Sequence, residues 1–218
     1  AVLIADDAPW RHSAGLAAGW TASGFDDASW DEGVAPFASG TPGPVDAVAT
    51  FTADNAFALY LGQADGSGMR YIGRDADGGW QSSEAFAITA QPGEHLFVAG
   101  WEGPGDSGSP QMIIGEVTRA ADQSVLLATA ADAFDAVLGP VDANPGGGLG
   151  DAAPSAEAVS AVASDVDAFT VPAAERSGTS DPWAGQLSGD LGDARFLWID
   201  TFDANSITNS SNTYALFR

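Results

Sequence analysis

Apolar residues come along this chain in short bursts, alternating with small or polar ones, and Gly, Pro or Asp closes almost every burst. The clearest case spans residues 48–61. Phe51 and Ala53, then Phe57, Leu59 and Leu61, share one parity, and Asp54-Asn55 predicts a bend between the two halves. Further strands are predicted at 85–89, at 95–101 after a Pro92-Gly93-Glu94 turn, at 112–118 and at 124–128. Residues 1–5 form a short apolar run closed by Asp6-Asp7 and Pro9, and strand-like texture returns at 196–199. In the last strand, 214–218, Tyr214 and Leu216 fall on one face and Phe217 on the other. Such an apolar terminal strand must be buried, in its own sheet or in a neighbour's. Short strands separated by turn signals predict an all-β sandwich. A parallel α/β fold would need helical patterns between the strands, and the first 128 residues carry none of convincing length.

From 130 to 193 the texture changes. Pro145-Gly146-Gly147-Gly148 is a chain breaker, and 151–168 is rich in alanine with few large side chains. That stretch reads as a short surface helix, an ordered excursion, or a lid on one end of the sandwich. The expected organisation is one β-sandwich domain over 1–218, with 135–181 as an irregular and short-helical insertion or lid. One internal echo exists: Val2-Leu3-Ile4-Ala5 is matched by Val125-Leu126-Leu127-Ala128.

Composition narrows the function classes. Hydrophobic content of 45% with 10% aromatic residues marks a folded chain. Thirty acidic residues stand against seven arginines, with no lysine, for a net charge of −23. Such a field repels phosphate backbones and anionic head groups, which argues against nucleic acid and favours cations, calcium above all. The charge also keeps an extracellular or salt-adapted protein soluble. With no cysteine there is no disulfide or thiolate chemistry. No apolar run approaches the ~20 residues that span a bilayer. A start at Ala1 fits a mature chain released from a signal peptide, so secretion to the cell exterior or surface is expected.

Three phrases carry a family resemblance. They are Gly19-Trp20 with Phe25-Asp26-Asp27-Ala28-Ser29-Trp30; Ala53-Asp54-Asn55-Ala56-Phe57; and Phe196-Leu197-Trp198-Ile199-Asp200 running on to Tyr214-Ala215-Leu216-Phe217-Arg218. Together they resemble the galactose-binding-domain-like jelly-roll modules of secreted bacterial surface proteins and glycoside hydrolases, over roughly 1–36, 48–128 and 182–218. The resemblance implies a jelly-roll β-sandwich that either binds carbohydrate or serves as scaffolding. In those modules the last of the three phrases normally comes first, so the order here is permuted. The family's Asn-Gly turn is replaced by Gly62-Gln63-Ala64-Asp65-Gly66. Asp26 and Asp27 read as a helical-turn cap above Trp30, with calcium ligation as the alternative.

Candidate chemistry is sparse. Gly105-Asp106-Ser107-Gly108-Ser109-Pro110 looks like a serine-protease nucleophile loop, but that chemistry needs a histidine held by an aspartate. His12 has unrelated neighbours and His95 lies in a strand, so the phrase reads as a hairpin loop and no enzymatic activity is expected. Asp75-Ala76-Asp77-Gly78 opens like a calcium loop but lacks the distal glutamate, since Phe86 stands there. A solvated acidic turn is the leading reading there, with calcium ligation as the alternative. Asp200 with Asp203 is a second such pair. Trp20, Trp30 and Trp198 read as core. Trp80, Trp101 and Trp183 sit beside Gly, Asp or Pro, where core or turn packing is the leading reading and a ring face stacked on a sugar is the alternative. A carbohydrate site would combine Trp80 or Trp101 with Arg70 or Arg74.

Two functions follow. One is a non-enzymatic structural subunit of an extracellular surface layer or filament, self-associating into a homopolymer. Its C-terminal strand, with Tyr214, Leu216 and Phe217, either returns to its own sandwich or adds to a neighbour's. The other is a carbohydrate-binding module, free-standing or part of a larger secreted enzyme. Calcium is the one cofactor considered.

Overall fold

The computed structural model describes residues 43–54, 56–75, 80–101, 111–140, 153–177, 191–200 and 213–218, together with Trp183, Phe202 and the backbone of 9–12 and 31–34. The chain divides into two compact units, residues 1–43 and 44–218. In the first, β1 (Pro9–His12) pairs antiparallel with β2 (Asp31–Val34), Trp10 lying opposite Gly33. The run at 1–5 and the phrase from Phe25 to Trp30 lie outside the described residues.

The second unit is an all-β sandwich of two antiparallel sheets. Its strands are β3 (Val45–Asp54), β4 (Ala56–Gln63), β5 (Arg70–Arg74), β6 (Glu84–Ala90), β7 (Glu94–Trp101), β8 (Met112–Arg119), β9 (Val125–Ala128), β10 (Ala136–Leu138), β11 (Ala174–Ser177), β12 (Arg195–Trp198) and β13 (Ala215–Phe217). One sheet has the order β10-β13-β7-β4-β5. The other runs β11-β12-β8-β3-β6, with β9 also pairing β8. The bend expected at Asp54-Asn55 is where β3 of one sheet gives way to β4 of the other. Parity then sends Ala49, Phe51 and Ala53 from β3, and Phe57, Leu59 and Leu61 from β4, into the space between the sheets. Rings meet across it: Phe51 and Phe57 at 6.4 Å, and Trp198 of β12 and Phe217 of β13 at 5.8 Å between centroids.

β13 is an interior strand of its own sheet, paired with β10 on one side and β7 on the other. All of its side chains, with Tyr214 before it, are buried. Its two faces divide as the alternation predicts, Phe217 between the sheets and Tyr214 and Leu216 on the far side.

That far side holds a second core. Tyr60, Phe97, Trp101, Tyr214 and Leu216 project from the outer face of the five-stranded sheet, and α1 (Ala156–Ala163) covers them through Val159 and Ala163. The alanine-rich stretch holds a short surface helix, laid on a sheet face by its buried Val159 and Ala163. It is a third layer, required because the sheet is apolar on both faces. Ser155 caps the helix by accepting from the Ala158 N–H at 3.2 Å. The Tyr60 hydroxyl donates to the Pro154 carbonyl at 2.6 Å and the Ser160 hydroxyl to that of Gly66 at 2.7 Å. Burial lifts the Tyr214 phenol to about 12 and, with Tyr71 and Tyr214 beside it, raises Tyr60 as well, so both stay protonated donors.

β5 is a strand that the alternation does not predict. Leu59 faces Gly73 while Tyr60 faces Tyr71, so Ile72 is an extra residue and the strand bulges. Gly73 is needed there because a Cβ would run into the Phe86 ring.

Two outcomes follow. Gly66 has φ +77° and its Cβ would sit 2.5 Å from the Ser160 carbonyl, whereas Gly68, at φ +66°, faces open space. Gly68→Ala should cost about 1 kcal/mol of backbone strain, and Gly66→Ala about 1–3 kcal/mol more because the helix must lift. Urea unfolding of both variants measures the difference; equal costs would show that the helix does not rest on this turn. Deleting residues 213–218 removes five buried side chains, of which Tyr214, Leu216 and Phe217 are large and worth ~1.5–3 kcal/mol each. It also splits the five-stranded sheet. With typical stabilities of about 5–15 kcal/mol, the truncated sandwich should be unfolded by circular dichroism at 25 °C.

Candidate functional site

Six strand ends meet at one end of the sandwich. β3 ends at Asp54, opposite Met112 at the start of β8. β7 ends at Trp101, opposite Ala56 at the start of β4, and the N–H of Asp75, just after β5, donates to the Phe57 carbonyl at 3.0 Å. β12 runs antiparallel to β8 with Leu197 opposite Ile113, which delivers Asp200 to the same end. Topology thus gathers Asp54, Asp75, Gln111 and Asp200 from separate stretches of sequence.

Asp54, Asp75 and Gln111 are all buried there. Asp54 accepts from the indole N–H of Trp183 at 2.8 Å, a bond between residues 129 positions apart. The Trp183 ring lies 5.0 Å from Phe196 and 5.6 Å from Phe202, centroid to centroid. Arg176 stacks over the other partner ring, 4.8 Å from the Phe202 centroid. A buried carboxylate is tolerated where donors reach it, and Trp183 supplies one. Trp183 is therefore a pinned core residue, with no ring face open to a sugar.

Asp75 is buried, so the solvated-turn reading does not hold for it. Asp77 and Asp203 lie outside the described residues. Among the described residues, no three His, Asp or Glu side chains come together as a metal cage.

The residues proposed for carbohydrate, Trp80 or Trp101 with Arg70 or Arg74, have different surroundings. Trp101 is 1% exposed, its ring enclosed in the core beneath α1. Its neighbours Gly100 and Glu102 gave no sign of this, because the cover comes from a helix more than fifty residues later. Trp80 is half-buried against the central core, and its carbonyl accepts from Thr52 at 3.1 Å. Arg70 closes the seam between the sheets. It donates to the Thr89 carbonyl of β6 at 2.6 Å and pairs with Glu94 at 3.0 Å. Arg74 lies opposite Ala58, half-buried on the outer side of β5.

One exposed aromatic was missed. Tyr71, 48% exposed, stands edge-on to Tyr60 at 5.6 Å. Partial burial raises its phenol; Arg74 works against the rise and Glu84 adds to it, so both charges lie within electrostatic reach. A single exposed tyrosine in an unpredicted, bulged strand left no signal in the alternation.

Of the two histidines, His95 is exposed on β7, and the side chain of His12 lies outside the described residues, as does Ser107. No helix among the described residues is long and apolar enough to cross a membrane. No protein family, curated protein or solved structure matches this chain.

The Arg70 seam predicts a pH response. Burial works to raise the Glu94 carboxyl, but the Arg70 guanidinium and the Gln91 N–H, at 2.7 Å, outweigh it and hold Glu94 below its usual value. A lowered folded-state value stabilises above the unfolded value of about 4.3, and that stability is lost as pH falls through the folded one. Glu94→Gln should therefore cost roughly 1–3 kcal/mol at pH 7 and flatten the acid limb of the stability curve. Unfolding midpoints between pH 7 and 3 test it; parallel curves for the two proteins would remove the seam as the cause.

Proposed function

We propose that this chain is a non-enzymatic structural subunit of an extracellular surface layer or filament, built on a galactose-binding-like jelly-roll β-sandwich. The observation that carries this reading is where the chemistry-bearing side chains go. Asp54 and Trp183 pin one end, Arg70 and Glu94 close the seam, and Trp101 fills the core beneath the helix. Groups that a catalytic or sugar site would need open are instead engaged in holding the layers together. β13 sits inside its own sheet, which supports assembly through surfaces and not by strand donation. A net charge of −23 fits an extracellular role in which salt or divalent cations set how closely subunits approach. Calcium is the cation the Asp75 and Asp200 end would take, through carboxylate and amide oxygens.

The second reading, a carbohydrate-binding module, draws support from Tyr71. Its exposed ring, flanked by Arg74 and Glu84, offers a stacking face with hydrogen-bonding groups of both signs beside it.

Light scattering and negative-stain microscopy at physiological salt separate the two. A structural subunit should give concentration-dependent particles larger than a monomer, and a chelator should lower their size or the melting temperature. Monomers at every concentration, with heat released on titrating a polysaccharide and lost in Tyr71→Ala, would replace the first reading with the second.

A further inference from the structure

We propose that His95 and Arg218 form an acid-sensitive latch on the helix-covered face of the five-stranded sheet. With His95 neutral, the Arg218 side chain fastens the α1 layer to the sheet. With His95 protonated, that fastening loosens and the layer opens. The latch acts within a single chain, so it holds for either role proposed above.

Arg218 fastens the layer at two points. Its guanidinium lies 4.0 Å over the ring of Phe169, beyond the C-terminal end of α1, and donates to the Ala64 carbonyl at 3.0 Å. Ala64 belongs to the turn on which α1 rests, where the Ser160 hydroxyl donates to the Gly66 carbonyl at 2.7 Å. Phe169 packs against the apolar cluster beneath the helix, and Thr170 after it bridges to Ala136. One guanidinium thus ties the support of the helix, and the chain that leaves it, to the end of β13. Asp135, 3.8 Å away, is its counter-charge.

Strand order puts His95 beneath this fastening. β7 lies between β13 and β4. Phe217 is opposite Val98, so Arg218 continues the register to Phe97, while Ala64 follows Gln63, which is opposite Glu94. To reach Ala64 the guanidinium must cross β7, over two strand spacings of about 4.8 Å each. His95 lies on the stretch it crosses. It shares the parity of Phe97, Ala99 and Trp101, which places its imidazole on the helix side of the sheet. Gly62, directly opposite, brings no side chain to come between the two groups. The histidine is still exposed, so it exchanges protons with solvent.

The charges nearby favour a neutral imidazole. Partial burial first, and Arg218 second, hold it below its ordinary value of 6.5. The surrounding carboxylates are directed elsewhere. Glu94, next along β7, has the opposite parity and pairs with Arg70 at the seam. Asp65 accepts from the Ser67 N–H at 2.9 Å within its own turn, and Asp135 stands against Arg218. A value lowered in the closed form stabilises that form above the ordinary value, and the stability is lost as pH falls through the lowered one. Protonation sets two cations side by side on one partly covered face. Arg218 relieves the repulsion by swinging clear, and it then gives up Phe169 and Ala64 together. The surface uncovered is that of Tyr60, Phe97, Trp101 and Tyr214, at a mildly acidic pH where carboxylates keep their charge.

Hydrogen exchange of the whole chain at about pH 7.5 and about pH 5.5 tests the latch, after correction for the intrinsic pH dependence of exchange. The amides of α1 report the layer and those of β3 the sandwich. In the unaltered chain, α1 protection should fall at least about threefold at the lower pH while β3 protection holds. His95→Gln should keep its α1 protection at both pH values. Arg218→Gln should show low α1 protection at both, with no further fall. His95 is exposed, so its glutamine variant leaves the core intact, and β3 protection confirms that. Should Arg218→Gln lose β3 protection as well, the His95→Gln comparison decides alone. The latch is overturned by an unaltered chain whose α1 protection does not fall, by a fall that β3 shares equally, or by a His95→Gln chain that falls as far as the unaltered one.

Discussion

Strands β4, β7 and β13 send large apolar side chains to both sides of one sheet, so that sheet is stable only when both faces are covered. On one side, Phe57, Leu59, Val98 and Phe217 meet the six-stranded sheet. On the other, Tyr60, Phe97, Trp101, Tyr214 and Leu216 would present a broad aromatic surface to water. An eight-residue helix would be marginal in isolation, and its apolar stripe is short. Its stability comes from this sheet, and the sheet's from it. Small residues let the helix lie close, and the tyrosine hydroxyls of Tyr60 and Tyr214 give the layers a register that apolar contact alone would not fix. The long excursion between β10 and β11 is thus part of the fold's requirement.

Closing the sandwich at its margins is a polar task. At one end Trp183 donates to Asp54. Along the seam Arg70 joins β5 of one sheet to β6 of the other, and Glu94 fixes the guanidinium. Below the helix Arg218 lies 4.0 Å over the Phe169 ring, donates to the Ala64 carbonyl at 3.0 Å and stands 3.8 Å from Asp135. With only seven arginines in the chain, using two of them as clamps between elements is a large commitment. It explains why residues that resemble binding groups in the sequence are engaged structurally. An arginine fork that already meets a carbonyl and a carboxylate has little left for a ligand.

The parts legible in the sequence are those decided locally. Alternation through Phe51, Ala53, Phe57, Leu59 and Leu61, with a bend at Asp54-Asn55, described β3 and β4 because period two is a property of the strand itself. The same rule divided Tyr214 and Leu216 from Phe217. What stayed hidden depends on distant partners. β5 is bulged, so its parity breaks at Ile72, and β10 has three residues, too few to show a period. Trp101 looked available because Gly and Glu flank it, while the helix that buries it is a separate element. Asp54 and Trp183 are joined by a bond that no spacing announces. The candidate end of the sandwich was therefore visible only as scattered Asp residues, and its identity as one place comes from strand order.

Strand order also constrains how such a subunit could polymerise. A donated strand needs a gap in the acceptor sheet and a loose strand in the donor. Here β13 fills the position between β10 and β7 of its own chain, and leaving it would expose Tyr214, Leu216 and Phe217 together. Exchange of that strand would thus begin from a substantially unfolded sheet, which makes it slow at any temperature where the sandwich is stable. Contact between finished faces has no such barrier. It would form and dissolve at a rate set by diffusion and by the repulsion between two bodies of charge −23, a repulsion adjustable by the surrounding salt. Under the proposed structural role, an acidic chain without disulfides that met its copies through finished faces would respond to its ionic surroundings while each copy remained folded.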